Sequence, residues 1–454
     1  MHPDKVVDFN TQNRRIILRS GLGGLYKLVG TGLGFTVVLF LAMKTNAVEF
    51  GLYSIGFTIA SLVWPFVTAG QSTLAVRFWP TFSDRYDVAT ANFVLLRALK
   101  IVIGSGAVVI GGFVLLNLVV PSLGMTEFTG GMVIWTALFA VALGASQFSA
   151  FALRAQGMLH WSILPKDILW RLLVIIIAGF CSELTGVQAL SIVALSLSVV
   201  TLVQIMRMFR AIGSLRDITS PPLGEIAAMK RAEWALCGGE ISRQWLQQAA
   251  TFVVAIMLGP VSAGAFFAAQ RLSNLLSIGL IGTNQVSGPI IARSWHAGQF
   301  QRLQSVMTTV SVAALTFSLI GFGFYSVWGA WLLAQFDPAF SDAHIVLICL
   351  AFGQLVNAAC GPNGHLLNLA GQEKATLFIS IVAGIANILC TAIGITLYGL
   401  IGAAIGSTIA TILWNVWCTT LCAKRLNIHL FKIHSVKHIS GIRTAIFSQK
   451  AIKK

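Results

Sequence analysis

The chain has 454 residues, 56% of them hydrophobic and only 10% charged, with a mean hydropathy of +0.82 and a formal net charge of +16. Soluble domains carry about 25% charged residues, so the composition excludes a soluble globular enzyme and describes an all-α polytopic membrane protein. The basic balance does not by itself point to nucleic acid, because in such a chain the meaning lies in which loops hold Lys and Arg.

A helix needs roughly 20 mostly apolar residues to cross a hydrocarbon core of about 30 Å. In chain order, such runs cover about 20–42, 50–74, 101–120, 131–153, 163–181, 187–206, 234–258, 261–291, 303–334, 343–368, 375–397 and 400–422, which predicts twelve transmembrane helices. The opening stretch "MHPDKVVDFNTQNRRIILRS" is polar and the first apolar run is full-length without a small-residue cleavage site. That run is therefore expected to remain as a span. The seven cysteines lie in or beside apolar runs with neither metal-ligand spacing nor a paired framework, so no metal and no cofactor is expected.

Sorting the 31 Lys and Arg residues by loop gives the orientation. All fall on one side except Lys44, on the other side, and Lys27, Arg243 and Arg271, inside spans. The basic side faces the cytoplasm, which places both termini there. Every outward loop is short. The tail from 423 to 454 mixes positive charge with Ile and Phe; it suits either the anionic inner leaflet or a solvated terminus.

The chain also repeats itself. "NAVEFGLY" (46–53) matches "GPVSAGAF" (259–266), pairing Gly51 with Gly264, and "FALRAQG" (151–157) matches "HLLNLAG" (365–371), pairing Gly157 with Gly371. Offsets of 213 and 214 agree, as an internal duplication requires. The predicted organisation is a cytoplasmic N-terminus (1–19), a six-helix lobe (20–206), an inter-lobe loop (207–233), a second six-helix lobe (234–422) and the basic tail (423–454). Six is even, so the halves are related by a pseudo-twofold axis along the membrane normal, with a central cavity between them.

A charge at the centre of a span costs about 2.5 to 3.5 kcal/mol on insertion scales and is expected to face protein or water. Glu240, Gln244, Gln247 and Thr251 form a stripe down span 7 beside Arg243, and Arg271, Asn274, Ile281 and Gln285 approximate one in span 8. Ser54, Thr58 and Ser61 continue with Pro65, Thr68 and Ser72 at 4, 3, 4, 3, 4 spacing in span 2, and Lys27 lies on span 1. In span 10, "GPNGHLLN" breaks the helix and offers Asn363 and His365. These residues are the candidate cavity lining, with Glu240 as the candidate coupling group. A structural role stands beside each reading: Glu240 and Arg243 as a neutralising pair, the Ser/Thr stripe as a close-packing surface. No nucleophile elbow or phosphate loop is visible.

Three stretches, "EFGLYSIGFTIASLVWPFVTAGQSTLAVRFWP" (49–80), "SAGAFFAAQRLSNLLSIGLIGTNQVSGPIIAR" (262–293) and the run from "GPNGHLLNLAGQEK" to "GSTIATILWN" (361–415), resemble the bacterial polysaccharide biosynthesis flippases of the multidrug, oligosaccharidyl-lipid and polysaccharide exporter superfamily. The resemblance implies a non-enzymatic two-lobe transporter of the bacterial inner membrane. Its substrate would be an undecaprenyl-diphosphate-linked oligosaccharide for O-antigen, exopolysaccharide or capsule, with a polysaccharide polymerase or assembly proteins as candidate partners alongside membrane lipids. Lys27 and Arg271 would then attract the diphosphate or an acidic sugar. Two other readings are a cation-coupled drug exporter of the same fold, disfavoured because spans 1 to 6 are read as holding no interior acid, and a glycan polymerase, which would need a long outer loop.

Overall fold

The computed structural model describes residues 24–119, 130–212 and 218–428. They form fourteen α-helices and, among the described residues, no strand: α1 (Gly24–Ala42), α2 (Ala47–Thr68), α3 (Gln71–Arg85), α4 (Val88–Val119), α5 (Gly130–Ala155), α6 (Leu159–Leu164), α7 (Trp170–Gly179), α8 (Gly186–Ile212), α9 (Leu223–Leu275), α10 (Ile278–His296), α11 (Phe300–Ala334), α12 (His344–Cys360), α13 (Asn363–Leu369) and α14 (Glu373–Leu426). A π-helical turn, Pro165–Leu169, joins α6 to α7, and a 3-10 turn, Pro338–Ala343, leads into α12. Nine helical segments among the described residues are long and apolar enough to cross a membrane.

Two of the nine are hairpins rather than single rods. α9 is interrupted at Gly259 (φ 79°, ψ −177°), followed by Pro260, and α14 at Tyr398 and Gly399. Proline suits the first position of a helix because its missing N–H would have had no partner there. These breaks lie where the sequence separates its seventh from its eighth run and its eleventh from its twelfth. The fifth predicted run is likewise present but broken by the π turn.

The repeated motifs carry repeated geometry. Gly157 (φ 80°) and Gly371 (φ 74°) both end a helix in the left-handed region. In each case the next residue's N–H reaches back five positions, Met158 to the Leu153 carbonyl at 2.8 Å and Gln372 to the Leu367 carbonyl at 2.9 Å. This is the Schellman arrangement, which favours glycine because a Cβ is strained at that φ.

The other matched pair meets in space. A Cβ added to Gly264 would lie 3.2 Å from the Gly51 Cα, and one added to Gly51 would lie 2.2 Å from the Pro260 carbonyl oxygen. Without a Cβ at either position, α2 closes directly on the second arm of α9, as small residues allow between helices in lipid. Around the contact, Phe50, Tyr53, Phe267 and Phe340 are fully or almost fully buried, and Phe50 lies 5.8 Å from Phe340 and 6.2 Å from Phe267 between ring centroids. One hydrophobic core thus runs from Leu41 on α1 through α2, α5 and α8 to α9 and α12. By contrast α4 is largely uncovered, with Val108, Leu115 and Leu118 exposed, a surface suited to acyl chains.

Replacing Gly51 with Ala forces a Cβ against backbone, so a loss of about 1–3 kcal/mol is expected, the usual range for overpacking. Fluorescence-detected size exclusion after heating should register it, while Gly104→Ala, with open space around the new Cβ, should elute like the parent.

Candidate functional site

Of the basic residues predicted to lie in spans, Lys27 is ion-paired, Arg271 lies against two aromatic rings and Arg243 is exposed, and the acid that changes the picture was not expected. Lys27 Nζ lies 3.0 Å from Asp167 Oδ2, an ion pair joining α1 to the π turn. Asp167 is buried and Lys27 keeps about a third of its side-chain surface exposed. The sequence reading assigned Lys166 and Arg171 to a cytoplasmic loop and counted no acid inside the first six spans. Asp167 overturns the second reading: with Lys166 and Arg171 it belongs to the continuous helical run from Leu159 to Gly179. Lys166 and Arg171, which appear loop-like in sequence, join Lys27 around Asp167 on the π turn.

Arg171 is seated on the glycine face of α1. Its Nη1 donates to the carbonyls of Gly30 and Asp167, both at 2.6 Å, and a Cβ at Gly34 would stand 3.3 Å from its guanidinium carbon. Its Nε is buried without a hydrogen-bond partner. Lys166 donates from Nζ to Gln147 Oε1 on α5. Three cations thus surround one carboxylate.

Across the contact between the two parts of the chain stands Arg271, on the second arm of α9. Its guanidinium carbon lies 4.3 Å from the Phe267 ring centroid and 4.7 Å from that of Phe57 on α2. Desolvated cation–π contacts contribute about 2 kcal/mol, which partly offsets the cost of the buried charge. Its Nε and Nη2 are buried and have no hydrogen-bond partner. Buried N–H groups without an acceptor are rare and call for an explanation. Arg271 as a whole is half-buried, and Arg171 is near enough to interact with it electrostatically.

About one turn beyond, α9 ends at Leu275 and α10 begins at Ile278. Carbonyls on this stretch are taken up from α11: Tyr325 Oη donates to Leu272 O at 2.7 Å and Ser318 Oγ to Leu276 O at 3.0 Å. Asn274 Oδ1 accepts from Gln354 Nε2 at 3.1 Å, and Gln354 Oε1 from Asn357 Nδ2 at 3.3 Å, so an amide chain leads from Arg271's helix into α12. Gln354 and Asn357 sit in an apolar stretch, "CLAFGQLVNAAC", and only the stripe of Asn274 could have drawn attention to them.

The remaining candidates divide. Ser54 and Thr58 are fully buried and Ser61 nearly so; Ser54 donates to its own Gly51 carbonyl and Thr58 Oγ1 has no partner. They belong to the packed face of α2. Glu240 does not pair with Arg243. Its carboxylate accepts from Thr68 Oγ1 at 2.7 Å and Thr73 Oγ1 at 2.9 Å, clamping α9 to α2 and α3, while Arg243 and Gln247 are exposed and Gln244 is half-buried. Asn363 is buried and donates to Thr419 Oγ1 at 2.7 Å; His365 is exposed, its Nε2 3.5 Å from where a Cβ on Gly288 would stand. The side chain of Gln285 lies outside the described residues, as do the N-terminal stretch to residue 23 and the tail from 429. Among the described residues no group of three His, Cys, Asp or Glu side chains could hold a metal ion.

This arrangement can be set beside known proteins. The model of a family described as polysaccharide biosynthesis protein matches residues 22–295, a span that includes Lys27, Asp167, Arg171, Glu240 and Arg271. The chain belongs to the polysaccharide biosynthesis protein family. It is 22% identical over 437 residues to the succinoglycan biosynthesis transport protein ExoT of Rhizobium meliloti strain 1021, covering 95% of this chain and 83% of that protein. Among solved structures it resembles an inward-facing multidrug resistance MATE family transporter of the MOP superfamily, with a TM-score of 0.68 at 15% identity, covering 93% of this chain and 99% of that one. It also resembles a MOP superfamily transporter from Pyrococcus furiosus, described as having a binding pocket of reverse polarity, with a TM-score of 0.62 at 15% identity over 90% of this chain and 95% of that one. The relative and the fold neighbours are transporters, and the fold is the one they share.

The Lys27 and Asp167 pair is open to a double-mutant cycle. Asp167→Asn leaves Lys27 unpaired beside Lys166 and Arg171 and is expected to cost about 1–2 kcal/mol, below the 3–5 kcal/mol of fully buried pairs because Lys27 is partly solvated. Adding Lys27→Met should recover part of that loss in thermal unfolding of the purified protein; simple additivity of the two changes would remove the pair from the account.

Proposed function

We propose that this chain is a flippase carrying an undecaprenyl-diphosphate-linked oligosaccharide from the inner to the outer leaflet of a bacterial inner membrane, for the assembly of a surface polysaccharide. On this reading the twelve predicted runs are twelve spans in two six-helix lobes with both termini cytoplasmic, and the lobes rock about their contact in alternating access. The observation that carries it is Arg271: a guanidinium at the contact, framed by two aromatic faces, with two N–H groups lacking acceptors and Arg171 nearby. A diphosphate is a compact anion with the oxygens those donors need, and the planar guanidinium fork suits it. Lys27 with its partly exposed ammonium would guide the anion, the amide chain from Asn274 to Asn357 would hydrate sugars, and the lipid tail would remain in the bilayer. Arg243 and Gln247, exposed on a membrane-spanning arm, would border water between the lobes.

The fold neighbours make the multidrug exporter the natural second reading. Its requirement for an acid free to hold a cation is poorly met by Asp167, which Lys27 engages and two further cations surround. The family match and the succinoglycan transport relative favour a glycan route.

In a strain lacking the native gene and its surface glycan, Arg271→Ala is expected to leave surface polysaccharide at a tenth of the wild-type level or less and to raise the lipid-linked precursor. Arg271→Lys should restore only part, since an ammonium does not stack between rings as a guanidinium does. Wild-type amounts of both glycan and precursor with Arg271→Ala would remove this residue from the route.

Glu240 is the coupling candidate on this reading. Its two acceptor oxygens tie Thr68 and Thr73 to α9, so a side chain with fewer acceptors loosens that clamp. Glu240→Ala, which removes both acceptor oxygens, is expected to lower flipping in proteoliposomes several-fold, with Glu240→Gln retaining part of the rate; parental rates in both variants would exclude Glu240 from coupling.

A further inference from the structure

Away from the contact between the two parts of the chain, a cavity of about 250 Å³ opens on the outer flank of α8, lined by Val203, Met206, Arg207 and Arg210 together with Trp161 of α6. The four α8 residues recur at intervals of three, one and three, so they occupy a single face of that helix. The adjoining face, which carries Leu197, Gln204 and Met208, is buried. The cavity is held open from behind. Gln204 Nε2 donates to the Trp161 backbone carbonyl at 3.0 Å, fixing the start of α6 against α8, and the Arg207 guanidinium carbon lies 5.8 Å from the Trp161 ring centroid.

Three features define what fits. Two guanidiniums with no ion pair among the described residues converge on one small space. Directly along the helix from them runs an exposed apolar strip of Leu195, Val199, Leu202 and Met206, on a helix whose composition suits lipid. Trp161, half open, marks the level at which an indole ring bridges headgroup and acyl chain. The volume suits a single headgroup, below the roughly 300–1,000 Å³ of ordinary small-molecule pockets.

We propose that this cavity is a binding site for an anionic phospholipid, the phosphate held by Arg207 and Arg210, the headgroup edge resting on Trp161, and one acyl chain lying along the Leu195 to Met206 strip. Arginine forks and phosphate oxygens match in geometry and charge, and basic pockets at the cytoplasmic ends of spans recognise anionic headgroups by these means. The site rests on the membrane reading of α8 but not on the identity of the transported glycan. A lipid bound there would brace α6 against α8, and so hold the π turn that carries Asp167.

The test uses the full chain purified in neutral detergent, with thermal unfolding measured as lipid is added. Phosphatidylglycerol is expected to raise the unfolding temperature by several degrees, phosphatidylcholine and inorganic phosphate at equal concentration by much less. Arg207→Gln with Arg210→Gln should abolish the phosphatidylglycerol increment, and Arg207→Lys with Arg210→Lys, which keeps the charge and guards against a folding defect, should retain part of it. An undiminished increment in the double Gln variant would overturn the site. An equal rise with inorganic phosphate would overturn the lipid assignment in favour of a free anion, and an equal rise with phosphatidylcholine would overturn the role of charge.

Discussion

A guanidinium within a membrane-spanning helix is the constraint around which much of the structure is arranged. Arg271 cannot be neutralised by losing its proton and costs several kcal/mol if left against lipid. Here the cost is met by position. The side chain is placed at the contact between two parts of the chain, under the faces of Phe57 and Phe267, where rings supply negative electrostatic potential without supplying a hydrogen-bond acceptor. Aromatic faces satisfy the charge and leave the N–H groups unmet. A carboxylate partner would have met both.

Helix discontinuities do the positioning. The break after Leu275 needs donors for carbonyls that no longer have helical partners, and Tyr325 and Ser318 provide them. The π turn at Pro165–Leu169 brings Asp167 over α1, where Gly30 leaves just enough room for its Cβ. In both places the irregular backbone is enclosed by protein, as it must be at membrane depth.

Much of this is legible in the sequence, and for reasons that can be named. Span positions follow from hydropathy because the bilayer sets a length, and the duplicated glycines follow because both motifs demand a backbone that only glycine adopts cheaply: Gly157 and Gly371 by φ, Gly51 and Gly264 by proximity. Arg271 could be singled out because a lone charge in an apolar run has no innocent location. The cluster at Lys166, Asp167 and Arg171 was misread for the converse reason. Its charges are close together near a proline, which is also the signature of a loop, and no one-dimensional pattern separates a loop from a π turn folded into the interior. The Ser54, Thr58 and Ser61 stripe shows the reverse ambiguity, since a polar face on a helix reads identically whether it meets water or another helix.

The duplication also explains why the two parts of the chain are not interchangeable. At the repeat offset of 213, Lys27 on α1 corresponds to Glu240 on α9, and Thr58 on α2 corresponds to Arg271. Equivalent registers therefore hold a cation in one copy and an anion in the other, and a neutral hydroxyl where the other holds a guanidinium. Lys27 turns within its own copy to Asp167, whereas Glu240 reaches across to Thr68 and Thr73 of the other. A symmetric dimer of one such unit would place like charges at equivalent registers. Fusing two copies lets each diverge, so that one carboxylate clamps the halves while the opposite register leaves an arginine with donors to spare. The group with unmet donors and the group that clamps α9 to α2 and α3 can then be altered independently.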